Sequence, residues 1–179
     1  MNILLALSRA VDALNRSVGK LTYWLVLMMA VISAGNAVMR YTFNVGSNAW
    51  LEIQWYLFAA VFMLCAPAVL ARNEHVRVDI FYGRLPIRGQ IWVDLIGGLL
   101  FLLPAALILL WLSWPMFWAA WSTHEASGNA GGLIRWPVEL MLPLGFALLM
   151  LQGVSEIIKR IAMLSGHLAA DLHYDKPLQ

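Results

Sequence analysis

Charge is scarce in this sequence. Only 12% of its 179 residues are Asp, Glu, Lys or Arg, while 61% are hydrophobic. Soluble globular chains carry about 25% charged residues, so an ordinary soluble domain is excluded. No polar block is long enough to fold alone, which excludes a separate soluble enzyme domain. The single cysteine, Cys65, excludes an intrachain disulfide. The length also excludes a large transporter of many spans.

Groups that do chemistry are equally sparse. The four histidines, His75, His124, His167 and His173, all lie outside the apolar runs. A haem-binding membrane cytochrome needs axial ligands inside its spans. No Cys/His set has zinc spacing, and no nucleophile–base–orienter set is visible. The glycine-rich stretch Ser127 to Gly132 lacks the Lys-Ser/Thr of a phosphate loop and reads as a turn. No cofactor and no nucleic-acid partner are expected for this chain.

What is present is four charge-free runs: Leu21–Met39, Ile53–Ala71, Leu95–Thr123 and Leu140–Ser155. A helix needs about 20 apolar residues to cross a ~30 Å hydrocarbon core. The expectation is an all-α membrane protein with four transmembrane helices. The spans are placed at about 21–39, 51–71, 92–117 and 138–158, in a domain running from 21 to 160. The third run is over-long and must tilt or emerge from the lipid at its outer end.

Basic residues alternate between the connections. The head holds Arg9, Arg16 and Lys20, the first loop only Arg40. The second loop holds Arg72, Arg77, Arg84 and Arg88, the third only Arg135, and the tail Lys159, Arg160 and Lys176. The positive-inside rule then places both termini in the cytoplasm.

The head is not expected to be a cleaved signal peptide, since no basic n-region precedes its apolar residues. Leu4, Leu7, Val11, Leu14 and Val18 recur at helical spacing. Residues 1–20 are therefore expected to form an amphipathic helix on the membrane surface; packing against the protein's own bundle is the alternative. Residues 161–179 form a cytoplasmic tail. Ile157, Ile161, Leu164, Leu168 and Leu172 continue a helical stripe into it, weakened by Gly166. Glu156 can pair with Lys159 and Arg160 one turn on.

The centres of the spans fall near Ala30, Phe62, Ala106 and Leu148, with no ionisable neighbour within a turn. An ionisable group there would mark a transport path. Ser33, Asn36 and Ser113 are the notable polar residues some way in, and suit helix packing. Arg40 and Glu52 flank one short outer loop and are expected to form an ion pair at that face. Glu125 and Arg135 are charged candidates for docking on the same side. Trp111, Trp114, Trp118 and Trp121 form one stripe, either an aromatic belt or a partner surface.

The second loop reads Arg72-Asn-Glu-His-Val-Arg-Val-Asp-Ile-Phe-Tyr-Gly-Arg-Leu-Pro86. With the four spans, it resembles the small membrane subunit (DctQ type) of tripartite ATP-independent periplasmic, or TRAP, transporters. The matching positions are His75, Arg77, Asp79, Leu85, Pro86 and Arg88. Glu125-Ala-Ser-Gly, Gly131 to Pro137 and Pro143-Leu-Gly145 extend the resemblance.

The resemblance implies a non-catalytic, multi-pass subunit of the bacterial inner membrane. It would bind a large membrane (DctM-type) permease subunit and enlarge its scaffold in the lipid bilayer. It would also help dock a periplasmic substrate-binding protein that delivers organic acids. Sodium ions and substrate would bind the large subunit. His75, Arg77, Asp79 and Pro86 would be structural loop residues, with Asp79 capping the third span. Two other readings remain: an autonomous four-span transporter, which needs a membrane-embedded carboxylate, and the membrane anchor of a respiratory enzyme.

Overall fold

A computed structural model describes residues 1–74 and 82–169 of the chain. Its long helices are α1 (Asn2–Phe43), α2 (Asn48–Ala71), α3 (Ile87–Ser122) and α4 (Trp136–Leu164). All four are long and apolar enough to cross a membrane. The all-α, four-span expectation therefore matches the structure. The connections place the ends of α1 and α4 nearest the termini at one end of the bundle, here called the basic end. The 44–47 and 123–135 loops lie at the other, the loop end.

Helix boundaries follow local chemistry. Asn44 adopts the left-handed conformation (φ 53°) after Phe43, and its N–H bonds back to the Met39 carbonyl. Gly166 (φ 74°) closes α4 in the same way, with its N–H on the Met163 carbonyl. The stripe projected through Leu168 is thus cut off at Leu164 by the glycine expected to weaken it, and Leu172 lies outside the described residues. Pro86 occupies the cap position of α3 (φ −61°).

The over-long third run is a single helix with one irregularity, a π-helical turn at Gly98–Leu102. Pro104 has no N–H to give the Leu100 carbonyl. The Leu103 N–H instead reaches five residues back, to the Gly98 carbonyl. Helix continues through the over-long run to Ser122.

The hub is α4, which packs on the other three. Close approach is set by glycine. A Cβ at Gly145 would lie 2.7 Å from Met63 Cβ, and one at Gly19 2.6 Å from Ala68 Cβ. At Gly153 it would meet the Leu102 and Leu103 side chains at 3.1 Å. Lipid gives no hydrophobic drive for helix association, so van der Waals contact of this kind holds the spans together.

The head differs from expectation. Residues 2–20 are not a separate element but the first half of α1, which runs 42 residues without a break. That length is ~63 Å, about twice the hydrocarbon core. The stripe at Leu4, Leu7 and Leu14 stays exposed (Leu7 55%), while Asn15 is 1% exposed. The buried face is Ser8, Asn15, Gly19 and Thr22, lying against the bundle. The physical reason is pairing: these small or polar side chains find hydrogen-bond partners or close contacts on α4 and α2, and the leucines do not.

Candidate functional site

Two polar clusters cap the apolar bundle, one at each end. At the loop end, Glu52 in the first turns of α2 is 3% exposed. Its carboxylate accepts from the Ser127 hydroxyl, from the Asn129 amide at 2.7 Å and from the Leu133 backbone N–H at 2.8 Å. Asn48, four residues earlier, donates to the Ala130 carbonyl at 3.0 Å. One helix end thus holds the whole 127–133 turn.

The turn closes on itself. Ser127 N–H bonds to the Leu133 carbonyl, Arg135 N–H to the Glu125 carbonyl and Gly132 N–H to the Asn129 carbonyl, each at 2.9 Å. Gly132 leaves no room for a side chain, since its Cβ would fall 2.5 Å from Ser127 Cβ. Arg135 is 2.6 Å from Glu125 and 3.5 Å from Glu139, one turn into α4. A cavity of about 280 Å³ opens here, lined by Glu52, Trp55, Tyr56, Asn129 and Arg135.

The structure joins three of the four charged residues singled out at this face. Glu125 and Arg135 are an ion pair, and Glu52 shares a cavity with Arg135. The expected Arg40–Glu52 pair is corrected. Arg40 is exposed in the last turn of α1 and makes no ion pair among the described residues. Glu52 instead faces the 127–133 turn, where neutral donors occupy its oxygens. That turn is the glycine-rich stretch read as a plain turn; its anchoring by a carboxylate 75 positions away has no local signal.

The second cluster lies at the basic end, between α1, α3 and α4. Asn15 donates to Gln152 at 2.8 Å, and Gln152 donates to Asp12 at 2.8 Å and Glu156 at 3.0 Å. Ser155 shares a hydrogen bond with Ser8 at 2.7 Å and donates to Asp12 at 2.9 Å. Lys159 pairs with both Asp12 and Glu156. Arg160 continues the chain to Asp94 at 3.1 Å, and the Tyr82 hydroxyl donates to Asp94 at 3.1 Å.

The helical pairs expected from Glu156 to Lys159 and Arg160 are present, the second at 3.9 Å. Asp12, Asn15, Gln152 and Ser155 were not anticipated. Their signal was a second stripe on α1, Ser8, Asp12, Asn15, Gly19 and Thr22, at the same spacing as the apolar one. Burial pushes the Asp12 carboxyl up. The Gln152 amide, the Lys159 ammonium and the Ser155 hydroxyl outweigh that and hold it below the usual carboxylate range.

Of the loop motif, Pro86 holds the cap position of α3 that was expected of Asp79. His75, Arg77 and Asp79 lie outside the described residues, as do positions 170–179 of the tail. Among the described residues no group of His, Cys, Asp and Glu could hold a metal ion.

Comparison with known proteins adds two findings. The family described as "Tripartite ATP-independent periplasmic transporters, DctQ component" matches residues 28–163. A protein of Haemophilus influenzae named as a TRAP transporter small permease protein is 31% identical over 96 residues. That match covers 54% of this chain and 60% of the relative's length. No solved structure matches the chain.

Proposed function

Since the chain belongs to the DctQ component family of tripartite ATP-independent periplasmic transporters, we propose that it is the non-catalytic small permease subunit of a sodium-driven organic-acid importer. It is a multi-pass membrane protein of a transport system. In our reading it sits in a bacterial inner membrane with the basic end in the cytoplasm. It packs against the large permease subunit and widens that subunit's scaffold. Sodium and substrate bind the large subunit.

The observation that carries this reading is the placement of charge. The four apolar runs hold no Asp, Glu, Lys, Arg or His, and every such residue falls before, between or after them in the sequence. A polar solute crossing the bilayer needs polar or ionisable groups along its path. This chain offers ionisable groups only outside those runs, so the path belongs to a partner. The carboxylate-anchored turn at the loop end supports a second part of the proposal. Glu125, Arg135 and the 127–133 turn form a preshaped polar surface that suits docking of the periplasmic binding protein.

The test is uptake of a labelled organic acid into liposomes holding the large subunit, with the binding protein and a sodium gradient supplied. Uptake is expected only when this chain is included, and none from this chain alone. Full uptake by the large subunit without it, or transport by this chain alone, overturns the reading.

A further inference from the structure

A cavity of about 530 Å³ lies at the basic end, between α2, α3 and α4. Its lining combines charged Asp94, Glu156 and Arg160 with apolar Leu70, Leu102 and Ile157. Asp94 is the last charge before the apolar run of α3 begins. Leu102 lies eight residues further along the helix, ~12 Å deeper into the bilayer. The cavity therefore spans the depth of headgroups and of the first acyl carbons. The π-helical turn Gly98–Leu102 forms part of this lining. Gly97, beside it, would have no atom within 4 Å of an added Cβ.

Arg160 is the second observation. The residue is 7% exposed, yet its guanidinium is poorly served. Such a group carries five N–H donors. Its Nε lies 3.1 Å from Asp94 but makes no hydrogen bond among the described residues. Nη1 reaches only the Met163 sulfur, at 3.7 Å, and Nη2 is 3.9 Å from Glu156. Two carboxylates flank the guanidinium, yet its Nε stays without a hydrogen bond among the described residues, which leaves donor capacity for a further oxygen acceptor. Asp94 and Glu156, both in the lining, would repel a ligand of net negative charge and attract an ammonium.

We propose that this cavity binds one zwitterionic glycerophospholipid from the leaflet at the basic end. The phosphate lies on the Arg160 guanidinium, the headgroup ammonium toward Glu156, and an acyl chain along the Gly97–Leu102 wall. The π turn and Gly97 open the slot that the chain occupies, and the bound lipid cements α3 to α4.

The test is native mass spectrometry of the purified, delipidated full-length chain, titrated with phosphatidylethanolamine, phosphatidylglycerol or inorganic phosphate. Wild-type protein is expected to retain one phosphatidylethanolamine at least threefold better than phosphatidylglycerol. Gly97→Leu fills the slot while favouring helix, and should lower that adduct at least tenfold with unchanged thermal unfolding. Arg160→Met should lower it likewise. No adduct, an adduct untouched by Gly97→Leu, phosphatidylglycerol bound as well as phosphatidylethanolamine, or phosphate bound alone as well as lipid would each overturn the proposal.

Discussion

Asp12 and Lys159, 147 positions apart, meet where α1 crosses α4, with the ammonium 3.1 Å from the carboxylate. Both side chains are mostly buried. The pair joins the first helix to the last and closes the bundle at its basic end.

Removing both partners should therefore cost less than the two single removals added together. Hydrogen bonds to charged groups contribute about 1.5–3 kcal/mol. Lys159→Met leaves Asp12 with a buried negative charge, and Asp12→Ala leaves the Gln152 amide and the Ser155 hydroxyl short of an acceptor. We expect each single change to destabilise by about that amount. The double variant should be less destabilised than the sum. Thermal unfolding in detergent, arranged as a double-mutant cycle, measures the coupling.

The same carboxylate makes stability depend on acid. Its folded value is held below the unfolded value of 3.8. The contribution is complete well above pH 4 and is lost as pH falls through the folded value. Wild type should lose stability on acidification below about pH 4 more steeply than Asp12→Asn. Parallel acid limbs for the two proteins, followed by tryptophan fluorescence, would count against this account.

At the loop end, Glu52 and Arg40 should behave in opposite ways. Glu52→Ala removes the acceptor for three donors and should release the 127–133 turn. Hydrogen exchange at the Leu133 amide should speed up by about tenfold or more, as loss of one charged hydrogen bond implies. Arg40→Gln should change stability by less than about 0.5 kcal/mol, as for a surface site with no such partners.

Close helix contact gives the last expectation. Gly145→Val places bulk against Met63, where even a Cβ falls at 2.7 Å. Overpacking of this kind costs about 1–3 kcal/mol. Gly35→Ala, with nothing within 4 Å, is the matched control and should be neutral or slightly stabilising. Unfolding temperatures of the two variants separate the outcomes.

How far the fold was legible depends on the residue. The runs between Glu52 and Arg72, or Asp94 and His124, announce themselves because a charge inside hydrocarbon is costly. Gly166 as a helix end and the Glu156 pairs are local, and a local pattern suffices to read them. The Asp12–Gln152–Lys159 network was not legible, since its members lie about 140 positions apart. The head reads from its apolar stripe as a separate surface helix, and the polar stripe that packs on the bundle goes unread. In a chain whose surroundings are apolar, the apolar stripe needs no burial, and the polar stripe beside it does.

Composition and charge spacing alone determined a four-span membrane protein, and the loop motif its family, because bilayer thickness and the cost of charge act on every residue independently of its neighbours in space. Tertiary structure alone decided that Glu52 grips the 127–133 turn instead of Arg40, and that Asn15 rather than Leu14 faces the bundle. A carboxylate or an amide is indifferent to sequence distance. It settles wherever the crossing of helices brings the best set of donors and acceptors, and that crossing is set by glycines such as Gly19 and Gly145 against residues far along the chain.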